Sequence, residues 1–238
     1  MSQPDDIADK PILVIAAHPD DIEFGAAGSV ARWADAGARV IYCIVTDGAA
    51  GSNDPAVDLT ALVQTRREEQ IAAAKCVGVE DVRFLGFADG TLEPTLALRR
   101  QLTALIRETK PYRLVCQDPT TVFFEHFYIN HPDHRAAGEA AVYAAFPSAE
   151  SRPIFPELLA AGLEPHHVSE LYLTLTTQPD TFVDISAVYD RKIAALLCHR
   201  SQLDESAADM VREWDTENGK QAGVLYAEPF RVLRFVDN

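Results

Sequence analysis

Ile12-Leu13-Val14-Ile15-Ala16-Ala17-His18-Pro19-Asp20-Asp21 is an apolar run that stops on a histidine, a proline and two adjacent aspartates. The run has the length and composition of a strand buried on both faces. His and Asp are poor strand residues, and proline has no N–H to give a ladder. The polar group therefore falls just past the carboxyl end of the strand. In open α/β sheets that edge is where ligands bind.

Working outward, strand-like and helix-like stretches alternate. A helix is predicted over 22–36, with Phe24, Ala27, Ala31 and Ala34 at helical spacing and Gly37 as its stop. Strands are predicted over 39–45, 81–86 and 112–117, and helices over 58–77, 95–109 and 132–146. An irregular, aromatic-rich stretch fills 118–131, and 147–167 reads as a loop with one helical turn near 156–161. Strands over 169–176, 181–185 and 223–236 and helices over 187–203 and 204–218 complete the chain. This rhythm predicts an α/β fold: a single Rossmann-like domain, 1–238, with a mostly parallel twisted sheet and helices on both faces. Residues 1–10 are expected to be a flexible tail.

The chain has 238 residues and a net charge of −15. Such a surface repels phosphate backbones and anionic lipids, which argues against nucleic-acid or membrane-surface partners. No apolar run reaches the ~18 residues of a membrane span, and the polar N-terminus is no secretory signal. Cys43, Cys76, Cys116 and Cys198 are far apart in sequence, form no C-x-x-C and read as reduced thiols of a cytoplasmic protein. A homo-oligomer is compatible with every one of these readings.

Neither G-x-G-x-x-G nor G-x-x-x-x-G-K-[ST] is present. The slot after the first strand, where a phosphate loop would sit, holds His18-Pro19-Asp20-Asp21 instead. A second cluster, His131-Pro132-Asp133-His134, opens the fourth long helix on the same edge of the sheet. Proline suits a first helical turn, and two histidines three apart face one side. Two imidazoles and a carboxylate with an open position form the donor set of a catalytic zinc site. The bland alternative is two unrelated Pro-Asp turns.

Ala17-His18-Pro19-Asp20-Asp21, Glu23-Phe24-Gly25-Ala26-Ala27-Gly28 and His131-Pro132-Asp133-His134 resemble the LmbE-like or PIG-L family of metal-dependent N-deacetylases. Thr46-Asp47-Gly48, Arg66-x-x-Glu69, Leu85-Gly86, Asp89-Gly90 and His199-x-Ser201-Gln202 extend the likeness over most of the chain. The resemblance implies a Rossmann-like sheet and one Zn²⁺ per chain, for which Fe²⁺ or another divalent ion could substitute. It implies His18, Asp21 and His134 as metal ligands, Asp20 as general base and His131 as the histidine that assists the tetrahedral intermediate. Arg66 and Asp89 match positions that contact sugar hydroxyls. Some sugar deacetylases carry a tyrosine two residues before the first histidine of the second motif. Here that place is Ile129, with Tyr128 one further back.

The expected reaction is zinc-dependent hydrolysis of an N-acetylated sugar or amino-sugar conjugate to acetate and a free amine. A protonated His131 would need a carboxylate beside it, and Asp133, Glu125 and Asp118 are candidates. Without the resemblance, Arg66 reads as part of a solvated charged face, Asp89-Gly90 as a turn and His199 as a structural residue on a helix. Phe123-Phe124-Glu125-His126-Phe127-Tyr128 reads equally as a core strand or as a pocket wall that excludes water. Two rival functions are a nonhaem Fe(II) oxygenase using a 2-His-1-carboxylate triad and a sugar-binding relative without catalysis. The alternating architecture argues against the first, since jelly-roll oxygenases need many short strands.

Overall fold

The structure is a computed structural model that describes residues 7–124, 126 and 128–235. Strand β1 (Pro11–Ala16) leads into two short helices, α1 (Asp21–Gly25) and α2 (Ala27–Asp35). There follow β2 (Arg39–Thr46), α3 (Leu59–Cys76), β3 (Asp81–Phe87), α4 (Leu96–Thr109) and β4 (Arg113–Gln117). A small hairpin, β5 (Phe123–Phe124) and β6 (Tyr128–Ile129), precedes α5 (Pro132–Tyr143) and α6 (Pro156–Ala160). The chain continues with β7 (Glu170–Thr174), β8 (Thr181–Asp184), α7 (Tyr189–Leu196), α8 (Glu205–Ala222) and β9 (Ala227–Arg234).

Seven strands form one sheet in the order β3-β2-β1-β4-β7-β9-β8. The first five are mutually parallel. β9 runs antiparallel to β7, and β8 antiparallel to β9. Alternate side chains of β1 feed two cores, as the period of a strand buried on both faces demands. Ile12, Val14 and Ala16 pack with Val30, Trp33, Ala73 and Ala195 under α2, α3 and α7. Leu13, Ile15 and Ala17 pack with Leu98, Leu102, Ala137 and Ala141 under α4 and α5. The chain leaves β1 toward β2 on one side, while β4 lies on the other. The carboxyl ends of β1 and β4 therefore flank the switch point of the sheet, where a crevice opens.

One close approach sets α5 at that crevice. A Cβ on Gly138 would collide with the carbonyl oxygen of Gln117 at the end of β4. Glycine is needed here for proximity, since backbone cannot yield as a flexible side chain can. Gly138→Ala is expected to cost about 1–3 kcal/mol by overpacking and to displace the helix that carries His131, Asp133 and His134. Thermal unfolding and bound-metal content measured on one sample check this. Wild-type values for both would refute it.

Several boundaries differ from expectation. The helix predicted over 22–36 is two helices, broken at Ala26 with φ −152°. The break has a partner: the Glu228 carboxylate accepts from Gly28 N at 2.9 Å and Ser29 N at 2.7 Å, capping a fresh N-terminus. The fourth long helix stops at Tyr143, short of Pro147, and passes into an irregular wide turn over Ala144–Ala149. The 187–203 helix shrinks to α7, and His199 lies in the turns beyond it. The tail expected over 1–10 does not hold for its described part, since Ile7 is buried in the core and Asp9 N donates to Gly37 O at 3.0 Å. Residues 1–6 lie outside the described residues. The irregular 118–131 stretch contains the β5–β6 hairpin, whose Phe123 and Tyr128 are exposed, so the core-strand reading of 123–128 fails for these two. Among the described residues, no helix is long and apolar enough to cross a membrane. All four cysteines are free; Cys76 and Cys198, distant in sequence, lie with sulfurs 3.9 Å apart.

Candidate metal centre

The two motifs meet at the switch point. His18 follows β1, Asp21 opens α1, and His134 sits in the first turn of α5. One donor atom from each of these three lies within 4.8 Å of the others. His134 Nε2 is 2.9 Å from Asp21 Oδ1, and His18 Nδ1 is 3.4 Å from Asp21 Oδ2. A second, overlapping trio, His18, His131 and Asp133, brings its donor atoms equally close.

Hydrogen bonding distinguishes the trios. Asp133 is fully buried and already accepts from Gly90 N at 2.7 Å and Leu92 N at 3.1 Å. His131 is the N-cap of α5, and its Nδ1 accepts from Asp133 N at 3.2 Å. These atoms are occupied in holding the β3–α4 loop and the helix start. His134 Nδ1, in contrast, faces Asn130 Oδ1 at 3.0 Å. An amide oxygen can only accept, so Nδ1 carries the proton and Nε2 presents a lone pair to the cluster. That is the orientation a metal-ligating imidazole requires.

The electrostatics fit a cation. Burial works against a charged His18, yet Asp21, Asp133 and Asp89 outweigh it and push the imidazole up to about 12. Asp89 Oδ1 lies 3.0 Å and Asp133 Oδ2 3.3 Å from His18 Nε2. Asp21 is likewise held well below the carboxylate range: burial opposes this, and His134 and His18 prevail. Three carboxylates around one imidazole make this spot a sink for positive charge, which a divalent ion satisfies better than a proton.

Asp20 is adjacent to Asp21 in sequence and points elsewhere. It adopts φ 92°, in the left-handed region, with no side-chain cap on α1. Its Oδ2 accepts from Arg66 Nη2 at 3.1 Å. Burial, reinforced by the Asp21 charge, raises its carboxyl to about 7 against the opposing pull of Arg66. Arg66 is not part of a solvated face: it is buried, and it also donates to Gly48 O and Pro19 O, both at 2.9 Å. Arg66 and Asp89, the two expected sugar contacts, thus border the cluster from inside, 3.8 Å apart, and brace it.

His131 is half-exposed beside His18, with ring centroids 4.6 Å apart. Burial and the neighbouring His18 charge lower its basicity. Asp133 is 4.0 Å from its Nδ1, Asp118 is bound up with Thr120, and Glu125 lies outside the described residues. Of the candidate partners Asp133 is the one beside the ring, yet burial and His18 outweigh it; with Nδ1 accepting from Asp133 N, a neutral ring carries its proton on Nε2. Tyr128 packs on Phe124 at 5.9 Å in the hairpin.

Two supporting residues escaped sequence reading. Asn130 orients His134, as above. Gln117, the last residue of β4, accepts from Ala17 N at 3.1 Å and donates to Asp21 Oδ2 at 3.0 Å. Its signal was a polar residue ending an apolar strand; Asn130 stands one turn before His134. Asn130→Ala and Gln117→Leu are each expected to weaken divalent-metal binding about 10–100-fold. Competition with a chromogenic chelator measures this, and an unchanged Kd would remove both residues from the centre.

A mostly parallel α/β sheet with a His/Asp cluster at its switch point defines a protein able to hold a divalent cation over the strand tips. The chain belongs to the PIG-L family, described as GlcNAc-PI de-N-acetylase, whose profile matches residues 13–145. It is 34% identical over 232 residues to the diacetylchitobiose deacetylase of Thermococcus kodakarensis, covering 94% of this chain and 83% of that one. It is 32% identical to a probable N-acetyl-alpha-D-glucosaminyl L-malate deacetylase 2 of Bacillus cereus, covering 84% of this chain and 87% of that one. Among solved structures, the N,N'-diacetylchitobiose deacetylase of Pyrococcus horikoshii superposes with a TM-score of 0.88 at 30% identity, covering 94% of this chain and 84% of the other. A 4-carboxy-2-hydroxymuconate hydratase from Pseudomonas putida shares the fold, with a TM-score of 0.81 at 23% identity over 96% of this chain and 99% of that one.

Proposed function

We propose that this chain is a zinc-dependent N-deacetylase acting on a 2-acetamido-2-deoxyglucose unit of a sugar or sugar conjugate. The observation that carries the reading is the division between the two aspartates. Asp21 faces His18 and His134, while Asp20 faces Arg66 beside them. On this reading one carboxylate holds an ion and the other takes a proton. The relatives named above as deacetylases support the chemical class, and N-acetylglucosamine is the unit their substrates share.

His18 and His134, with Asp21, would hold the ion. A Zn²⁺ bound there supplies Lewis acidity, polarising an acetamide carbonyl and making water more acidic. Asp20 accepts the proton of the attacking water; a carboxyl raised toward neutral pH by burial suits a general base. His131 offers its Nε2–H to the developing oxyanion. The proton held by Asp20 passes to the departing nitrogen as the C–N bond breaks, leaving acetate and a free amine. Arg66 keeps Asp20 in place through its bonds to Pro19 O and the carboxylate itself.

Acetate release from N-acetylglucosamine, diacetylchitobiose and N-acetylglucosaminyl conjugates, with Zn²⁺, Fe²⁺ or Co²⁺ supplied, tests the reading. Turnover with zinc on at least one of them is the expected result. Stoichiometric zinc without acetate from any would overturn it.

A further inference from the structure

Three polar side chains outside the metal centre are buried in a line that ends on Asp20. Gln70 on α3 accepts from Asp20 N at 3.0 Å through Oε1. Its Nε2 donates to both carboxylate oxygens of Glu23, at 3.1 and 3.2 Å. Glu23 Oε2 in turn faces His199 Nε2 at 3.1 Å. Gln70, Glu23 and His199 are each fully buried. None belongs to the trios that could hold a metal. Buried polar groups are costly unless hydrogen-bonded, and a buried network bonded in series fixes the geometry of what it holds; this line terminates on one backbone amide.

That amide belongs to a residue in an unusual conformation. An aspartate at a helix N-cap ordinarily takes extended backbone and folds its carboxylate over the first amides of the helix. Asp20 stands at the N-cap of α1 with φ 92° and ψ −28°, and its carboxylate caps nothing. Left-handed backbone at a non-glycine persists only where its surroundings over-determine it. Gln70 fixes the amide of Asp20 from α3, and Arg66, four residues earlier on that helix, fixes the preceding carbonyl and the carboxylate.

We propose that Gln70, Glu23 and His199 form a positioning relay that holds Asp20 left-handed, so that its carboxylate is withheld from helix capping and presented as the base. The relay rests on the deacetylase reading for its catalytic meaning and on backbone geometry for its existence. His199 anchors the far end from the turn after α7. Glu23 is the hinge, because it lies in the helix that Asp20 would otherwise cap. These are positioning residues, and their effect passes through Asp20.

Gln70→Met keeps chain length while removing both acceptor and donor. It is expected to lower kcat about 10–100-fold, as a base displaced by about 1 Å would, with KM and zinc content within about twofold of wild type. His199→Phe is expected to lower kcat in the same direction. His199→Gln, which keeps a donor for Glu23, recovers most of that loss, a rescue that packing alone would not give. Crystal structures of the wild type and the folded variants form the second arm, in which the Asp20 carboxylate moves and its φ relaxes toward extended values. Loss of zinc in step with activity, or an unmoved Asp20, overturns the relay. A wild-type protein that binds zinc and releases no acetate overturns the deacetylase reading instead. The crystal arm then still decides the relay, since Asp20 either moves in the variants or does not.

Discussion

If Asp20 is the general base proposed above, Asp20→Asn lowers kcat by about 10²–10⁴, the range for loss of such a group, while bound metal stays stoichiometric. Asparagine is the informative replacement because it tolerates left-handed backbone, and Asp20 has φ 92°. The amide oxygen can still accept from Arg66 Nη2, which reaches Asp20 Oδ2 at 3.1 Å. What is lost is the ability to take a proton. The contrasting variant is Asp21→Asn. Asp21 Oδ1 lies 2.9 Å from His134 Nε2, and its Oδ2 accepts from Gln117 Nε2 at 3.0 Å and His18 N at 2.7 Å. Neutralising it removes the charge that the two imidazoles flank, so bound metal and activity should fall together. Elemental analysis beside initial rates separates the two. Metal loss in Asp20→Asn, or full metal in Asp21→Asn, would reverse the roles assigned to the pair.

The fold was legible because two periodicities agree. β1 is apolar at every position, so it must be covered on both faces, and the helices that follow carry apolar residues at a spacing of three and four. The order of the strands then placed His18 and His131 on one edge, since parallel crossovers return every strand in the same direction. What stayed hidden depends on contacts between residues remote in sequence. The break at Ala26 is enforced by Glu228, two hundred residues from Gly28. His199 leaves its expected helix because Glu23, 176 residues away, takes its imidazole into the core. Arg66 looked solvated because Arg67, Glu68 and Glu69 follow it. It faces inward because carbonyls of two distant loops, at Pro19 and Gly48, converge on its guanidinium.

Lys192→Met is expected to cost about 3–5 kcal/mol of folding stability, the range for removing one partner of a buried ion pair. Lys192 is fully buried, with its Nζ 2.8 Å from both Asp215 and Glu228. Burial disfavours its charge, and Glu228 and Asp215 more than compensate, keeping it protonated. Glu228 also caps α2 through Gly28 N and Ser29 N, so this one cation anchors α7, α8, β9 and the start of α2. With one cation for two carboxylates, burial and the Glu228 charge push Asp215 up to about 6, and Lys192 opposes them. A carboxyl raised from 3.8 on folding stabilises the folded state relative to the unfolded one below its unfolded value, and that contribution is lost as pH rises through about 6. Without Lys192 the penalty on a charged Asp215 grows, so the deficit of the variant should be largest above pH 6 and shrink on acidification toward 5, where Asp215 can take up a proton. Urea unfolding of wild type and variant at several pH values measures this directly. The double variant Lys192→Met with Asp215→Leu should regain part of the loss, because it removes one unpaired carboxylate and leaves Glu228 with its two amide donors. A deficit independent of pH, or a double variant no better than the single, would show that Lys192 contributes packing through its methylene stem and little through its charge.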